Sequence, residues 1–432
     1  MASARYSRRT LCRLSRRAAA VDLSMIRIIC IFGLLFSVTA WADDGRYDLG
    51  DGGVSDFYSA ALPDGHLEAG KLLKKQPIDA HLMLPNAAQG TRILYTSTSG
   101  LDQKSKVEVS GAVFLPKGDP PLGGWPLVSW SHGTVGIADR CAPSWDGYPD
   151  FHRDYLGHWL GAGFAIVASD YEGLGTKGTH PYLATRPAAF SNLDAIRAIQ
   201  SAGYPVTRDV YFIGQSQGAA AALASAGHAM SYAPKIQVRG VVATGIPFFS
   251  PKALLTIREQ RPRDVIDPQL GYNFLALSLV QLVDPNFSMD DYLSTKARPV
   301  AQGISKICNR EMRKIIVDEQ LTYDTSFIKS PNAGLEKAFG LMQYPTLSLN
   351  VPVLIGAGAL DRDTPHKMQL ALARRLCAAK SSVRFLTYDD KAHLDTLSHS
   401  LQDAMVFVND IEKAIENGGK VRGNCHIFDQ SN

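Results

Sequence analysis

The chain has 432 residues, with 45 lysines and arginines against 41 aspartates and glutamates, a formal charge of +4 and six cysteines. A hydrophobic fraction of 45% with only 20% charged residues excludes an intrinsically disordered chain, and the length suits one large domain or two ordinary ones. No block of like charge follows the first residues, so composition gives no footprint for nucleic acid.

The positive charge sits at the front. Before Ala42 there are seven arginines against Asp22 alone, so the remainder carries a small negative net charge. An apolar run from Ile28 to Val38 follows and ends in the small-x-small pattern Ala40-Trp41-Ala42. The run is too short for a membrane helix, which needs about 20 apolar residues, so residues 1–42 are expected to be a removed export signal and to leave no stable membrane span. Either translation starts at Met25, the preferred reading, or Ser7-Arg8-Arg9-Thr10-Leu11 belongs to a loose twin-arginine signal. A secreted or periplasmic location is expected.

The polar stretch from Asp43 to about Gly90 reads as irregular. Arg92–Thr98 and Val107–Leu115 are β-rich and flank the turn-prone Ser99-Gly100-Leu101-Asp102, which predicts a hairpin at a sheet edge. Short continuous apolar runs then recur at 126–130, 164–169, 210–214, 238–243, 351–357 and 383–388, as buried parallel strands require. Helical patterns alternate with them at 187–202, 217–229, 365–379 and 396–416. This order predicts an α/β fold with a doubly wound, mostly parallel sheet.

The rhythm breaks after Ile246. About a hundred residues lack a buried-strand run and contain helix-like segments at 272–283 and 309–319. That is too long for a loop in a compact domain. The expected division is a core of 43–245 and 346–432 with a helical cap at 246–345. Phe274, Leu275, Leu277, Leu279, Val280, Leu282 and Val283 would either cover a binding cleft or bury a helix against the core.

The strongest motif is Gly214-Gln215-Ser216-Gln217-Gly218, placed between an apolar strand and an alanine-rich helix. A nucleophilic serine on a strained strand-to-helix turn needs neighbours without side chains, so Ser216 is the candidate nucleophile. Such a serine needs a carboxylate and a histidine later in the chain. The strand at Val351 runs into Asp361-Arg362-Asp363-Thr364-Pro365, with Asp361 preferred as the acid and Asp363 as the alternative or a helix cap. His393 follows the last strand and is the candidate base, whereas His399 reads as a surface or packing residue. For the oxyanion hole, the backbone amide of Gln217 would be joined by one from Ser131-His132-Gly133-Thr134, with Thr134 preferred and His132 structural.

Gly173-Leu-Gly175-Thr-Lys-Gly178 imitates a dinucleotide fingerprint, but Thr179-His180-Pro181 follows where a helix should start, so no nucleotide cofactor is expected. No metal-ligand spacing occurs either. Cys141, Cys308, Cys377 and Cys425 remain after the leader, an even number suited to an oxidising compartment. Of the three pairings they allow, Cys141–Cys308 and Cys377–Cys425 are expected, because the latter would tie the helix before the last strand to the C-terminal tail.

With these residues in order, the chain resembles the α/β-hydrolases and, more narrowly, the secretory lipase family. The resemblance is carried by Ser131-His-Gly-Thr-Val-Gly136, Cys141-Ala-Pro-Ser144, Asp170-Tyr-Glu-Gly-Leu-Gly175, Asp194-Ala-Ile-Arg-Ala198 and the Ser216 motif, and it spans about Asp56 to Val408. It implies ester hydrolysis, a cap over the site and export. Gln215, where bacterial relatives often carry His, and Leu394-Asp395 after the candidate base depart from the family pattern. A small-molecule or lipid ester is therefore the expected substrate, with transient contact to a lipid interface. Tyr171 is assigned to the pocket lining. The alternatives are a short-chain, aryl or peptidase-like acyl hydrolase on the same fold, and a non-catalytic exported binding protein.

Overall fold

A computed structural model describes residues 54–60, 68–250, 261–419 and 425–428. The expected leader, residues 1–42, lies outside the described residues.

The sheet has ten strands: β1 (Leu72–Pro77), β2 (Ala87–Thr98), β3 (Lys106–Pro116), β4 (Trp125–Ser131), β5 (Ala165–Ser169), β6 (Val206–Gln215), β7 (Gln237–Thr244), β8 (Val353–Gly358), β9 (Val383–Tyr388) and β10 (His426–Phe428). Their spatial order is 1-2-3-5-4-6-7-8-9-10. The first three strands are antiparallel, and β5 through β10 with β4 pair in parallel. Strands β4, β5 and β8 are continuously apolar or small because helices cover both faces of the sheet.

The helices that position the site are α1 (Asp150–Gly161), α2 (Thr185–Ser201), α3 (Gln217–Tyr232), α4 (Leu270–Val283), α5 (Asn309–Asp318), α6 (Asn332–Leu341), α7 (His366–Ala378) and α8 (Leu401–Glu416). One apolar cluster, including Leu193, Leu223 and Leu372, lies against one face of the sheet. Another, including Trp159, Leu397 and Phe407, lies against the other. This is an α/β-hydrolase architecture.

Two expectations need correction, and one helix was not foreseen. The region before Gly90 is not wholly irregular: β1 pairs outside β2, so the β2–β3 hairpin is not the outermost element. Its Lys74 and Lys75 suit an exposed edge strand and hide it from an apolar-run reading. Asp150–Gly161 forms a helix whose buried face is built from His152, Tyr155 and Trp159 as well as leucine. The final helix is also two, Asp395–His399 and α8, divided at Ser400, whose hydroxyl donates back to the Leu397 carbonyl at 2.9 Å.

Between β7 and β8 the chain leaves the sheet and forms α4, α5 and α6 around an apolar cluster of their own. Phe274, Leu275, Leu277, Leu279 and Val280 of α4 are buried in that cluster, while Leu282 and Val283 are partly exposed. The other side of α4 faces a cavity through Leu270, Tyr272, Asn273 and Ala276. The structure pairs Cys141 with Cys308 and Cys377 with Cys425. The first bond ties the segment before α5 to the loop after β4.

Candidate active site

Parallel pairing aligns the C-terminal ends of β4 to β9: Ser131 faces both Ser169 and Gly214, Gln215 faces Thr244, Thr244 faces Gly356, and Gly358 faces Tyr388. Ser131-Thr134, Asp170, Ser216, Gly245, Asp361 and His393 all follow these ends. That edge is where open α/β sheets hold ligands.

Ser216 sits at the turn between β6 and α3 with φ 58° and ψ −121°. The turn is possible because its flanking glycines have no side chains. A Cβ on Gly214 would lie 2.2 Å from the Gly218 carbonyl oxygen, and one on Gly218 would lie 1.8 Å from that of Ser131. Close backbone approach therefore explains the glycine spacing. The Ser216 N–H donates to the Thr244 carbonyl at 2.9 Å, and the residue lines the cavity.

Asp361 and His393 are both buried, and Nδ1 of His393 lies 2.8 Å from Oδ2 of Asp361. Oδ1 of Asp361 accepts the backbone N–H groups of Asp363 and Thr364 at 2.9 and 2.8 Å. Oδ2 also accepts from the Thr364 hydroxyl at 2.9 Å and the Gln369 amide at 3.1 Å. Thr364 and Gln369 escaped the sequence reading because no motif marks them. Their role appears only once α7 and the loop before it fold around the carboxylate.

The imidazole lies over Gly245: a Cβ there would come within 2.7 Å of Cε1 and 2.9 Å of Nδ1. Gly245 adjoins Thr244, which holds the backbone of Ser216. Nε2 of His393 is buried and has no hydrogen-bond partner among the described residues. Burial pulls the His393 pKa down, but Asp361 and the more distant Asp363 outweigh it, with Arg313 opposing them, and the net shift is upward. A histidine fixed at one nitrogen and open at the other is what a general base requires.

Asp363 turns elsewhere. Its Oδ1 accepts from the side-chain amide of Gln269 and lies 3.8 Å from Arg313, so it joins the acid loop to α5 and the segment before α4. It does not cap α7, whose N-cap is Pro365. His399 is exposed and packs edge-on against Tyr388.

The loop after β4 is held on several sides. His132 is buried, stacks on Tyr171 at 4.3 Å and contacts the Gly133 carbonyl through Nδ1 at 2.8 Å. Burial lowers its pKa. Tyr171, assigned to the pocket lining from sequence, is instead fully buried and absent from the cavity wall: its hydroxyl donates to the His132 carbonyl at 3.0 Å. The Thr134 hydroxyl meets Tyr182 at 2.9 Å, and Asn309 of α5 donates to the carbonyls of Thr134 (3.2 Å) and Val135 (2.7 Å). The Cys141–Cys308 bond lies beside this attachment.

Gln217, at the start of α3, directs its side-chain amide to Nε2 of His180 at 2.9 Å, while Nδ1 of His180 faces the Glu172 carbonyl at 2.9 Å. Burial lowers the His180 pKa to about 4, which keeps Nε2 free to accept. The backbone N–H groups of Thr134 and Gln217 have no partner among the described residues. Both residues line, with Ser216, a cavity of about 270 Å³. The Gly173–Gly178 segment forms a loop after β5, with the next helix starting at Thr185. Among the described residues no group of three or more His, Cys, Asp or Glu side chains could hold a metal, and no helix is long and apolar enough to cross a membrane.

Comparison with known proteins agrees with this architecture. Residues 154–255 match the family model described as Secretory lipase. Lipase A of Moesziomyces aphidis is 22% identical over 382 residues, covering 82% of this chain and 78% of that protein. Among solved structures, Candida antarctica lipase A superposes with a TM-score of 0.67 at 19% identity, covering 83% of this chain and 86% of that one. The rice cell wall degrading esterase LipA from Xanthomonas oryzae gives 0.62 at 16% identity, covering 81% and 98%. These structural likenesses establish the fold. Fold and family match together define a carboxylic ester hydrolase of the α/β-hydrolase type. Within that class, residues 154–255 are similar to the secretory lipases.

Proposed function

We propose that this protein is an exported serine hydrolase that cleaves acyl esters through an acyl-enzyme, with Ser216 as nucleophile, His393 as general base and acid, and Asp361 as the carboxylate that orients the imidazole. The observation that carries this reading is the buried Asp361–His393 pair, whose unengaged Nε2 belongs to a ring packed on Gly245, beside the strand end that anchors Ser216.

Ser216 Oγ attacks the ester carbonyl carbon while Nε2 of His393 takes its proton. The negative charge that develops on the carbonyl oxygen is met by the unengaged amides of Gln217 and Thr134. The imidazolium, balanced by Asp361, then protonates the departing alcohol. Water, activated by the same nitrogen, releases the acid and restores Ser216. The insertion that supplies α4 and α6 to the cavity wall acts as a cap, and its apolar residues receive the acyl chain. The arginine-rich leader and the two disulfides support export to an oxidising compartment.

A chain-length series of p-nitrophenyl esters tests this reading, with emulsified triacylglycerol as a further substrate. Turnover should rise into the medium or long acyl range, persist on the emulsion and vanish in Ser216→Ala. Activity confined to acetyl and butyryl esters would favour a short-chain esterase. Equal activity in Ser216→Ala would overturn the assignment of the nucleophile.

A further inference from the structure

Tyr171 takes no part in the chemistry proposed above, yet its backbone is held at φ 76°, in the left-handed region that residues with side chains avoid. Strain of this kind persists only where the surroundings over-determine it. The Tyr171 N–H donates to the Ser169 hydroxyl at 3.0 Å, and the side chain is fully buried. Its ring stacks on His132 at 4.3 Å and on His180 at 5.9 Å, and its hydroxyl donates to the His132 carbonyl at 3.0 Å. A residue that only filled space would need neither that hydrogen bond nor the unfavourable backbone.

Each of the two histidines leads to one of the amides that face the developing oxyanion. Nδ1 of His132 meets the Gly133 carbonyl at 2.8 Å, while Nε2 lies further, 3.3 Å, from the Asp170 carbonyl. The shorter contact takes the proton of the neutral ring. A peptide unit is planar and trans, so its C=O and N–H point opposite ways. Holding the Gly133 carbonyl towards the imidazole therefore turns the Thr134 N–H away from it, and that N–H has no partner among the described residues. The Tyr171 hydroxyl orients the peptide unit before it through the His132 carbonyl. On the other side, Nδ1 of His180 donates to the Glu172 carbonyl, which leaves Nε2 to accept the Gln217 side-chain amide at 2.9 Å. Gln217 is the first residue of α3 and lines the cavity, so this tether keeps its carboxamide from folding back onto its own backbone N–H.

We propose that Tyr171 is a positioning residue of the oxyanion hole, holding through His132 the loop that aims the Thr134 amide and supporting the His180 ring that tethers Gln217. The inference rests on Ser216 being the nucleophile and on these two amides being the oxyanion donors. Tyr171 touches neither substrate nor the reacting atoms.

The test uses two variants that keep a ring in place. Tyr171→Phe removes the hydroxyl bond to His132, and His180→Phe removes the acceptor for Gln217. Each is compared with wild type in kcat and KM for p-nitrophenyl octanoate and in Ki for 1,1,1-trifluoro-2-decanone, a ketone whose adduct with a serine carries the oxyanion. Tyr171→Phe should lower kcat by about tenfold or more, because small misplacements of oxyanion donors act on the transition state. Its KM should stay within about threefold, its Ki should rise by the factor by which kcat/KM falls, and the acidic limb of its pH profile should stay in place. His180→Phe should show a smaller change in the same direction. A kcat for Tyr171→Phe within about twofold of wild type, or a loss of kcat with Ki unchanged, would overturn the proposal while leaving ester hydrolysis at Ser216 intact. If Tyr171→Phe does not fold, unchanged kcat and Ki in His180→Phe would overturn it. A wild type that neither hydrolyses the ester nor binds the ketone would instead contradict the hydrolase reading and, with it, this inference.

Discussion

Nδ1 of His393 is bound to Asp361, while Asp363, two residues further along the same loop, faces Gln269 and Arg313. Two carboxylates two residues apart, of which the sequence favours Asp361, thus have different partners. Asp361→Asn should lower kcat by about 10³- to 10⁴-fold, because the wrong imidazole tautomer is then favoured. Asp363→Asn should lose less than about tenfold on a simple methyl ester. Steady-state kinetics on both variants checks this, and the reverse order would move the acid to Asp363.

The pH profile follows from the same loop. Burial alone would lower the His393 pKa, but the negative charges of Asp361 and Asp363 raise it overall, against the opposing charge of Arg313. A general base must be neutral to act, so the acidic limb of kcat/KM should lie above the ordinary imidazole value of about 6.5. Asp363→Asn removes one anion that favours the imidazolium, so its limb should move to lower pH. A limb that stays in place or moves upward would show that Asp363 does not act on His393.

The glycines of the elbow make a stability prediction. An alanine at 218 would drive its methyl into the Ser131 carbonyl, and one at 214 would meet the Gly218 carbonyl, both backbone atoms that cannot swing aside. Each substitution should cost about 3 kcal/mol or more, or prevent folding. Gly340 of α6 has open space around its Cβ position, and Gly340→Ala should gain about 0.5–1 kcal/mol. Thermal or denaturant unfolding of the three variants gives the comparison.

The two disulfides should contribute unequally. Cys141–Cys308 closes a span of 167 residues and Cys377–Cys425 one of 48. Loop-closure entropy grows with the logarithm of length, so removing the first pair should destabilise by about 1 kcal/mol more than removing the second. The first bond also lies beside the Asn309 contacts to Thr134 and Val135. Its double Cys→Ala variant should therefore lose kcat under conditions where it remains folded, whereas the Cys377/Cys425 variant should not.

The sequence exposed the parts of the molecule that rest on local rules. Continuous apolar runs marked β4 to β9, and the Gly214–Gly218 spacing marked the elbow, because both follow from backbone packing. The order of serine, acid and histidine brought Asp361 and His393 into view. What escaped depends on tertiary approach. Lys74 and Lys75 disguised an edge strand, Thr364 and Gln369 acquire meaning only around a folded carboxylate, and the partners that hold Asp363, Gln269 and Arg313 of α5, come together only in the fold. Tyr171 was misread for the same reason: its stacking on His132 turns it inward, away from the cavity.

The central claim is that Ser216 is the residue acylated during turnover. Peptide mass spectrometry after treatment of the purified protein with a fluorophosphonate tests it most directly. The expected result is a single stoichiometric adduct on the peptide carrying Ser216, abolished in Ser216→Ala and strongly slowed in His393→Ala. An adduct on another residue, equal labelling of Ser216→Ala, or a wild type that resists the probe would contradict it.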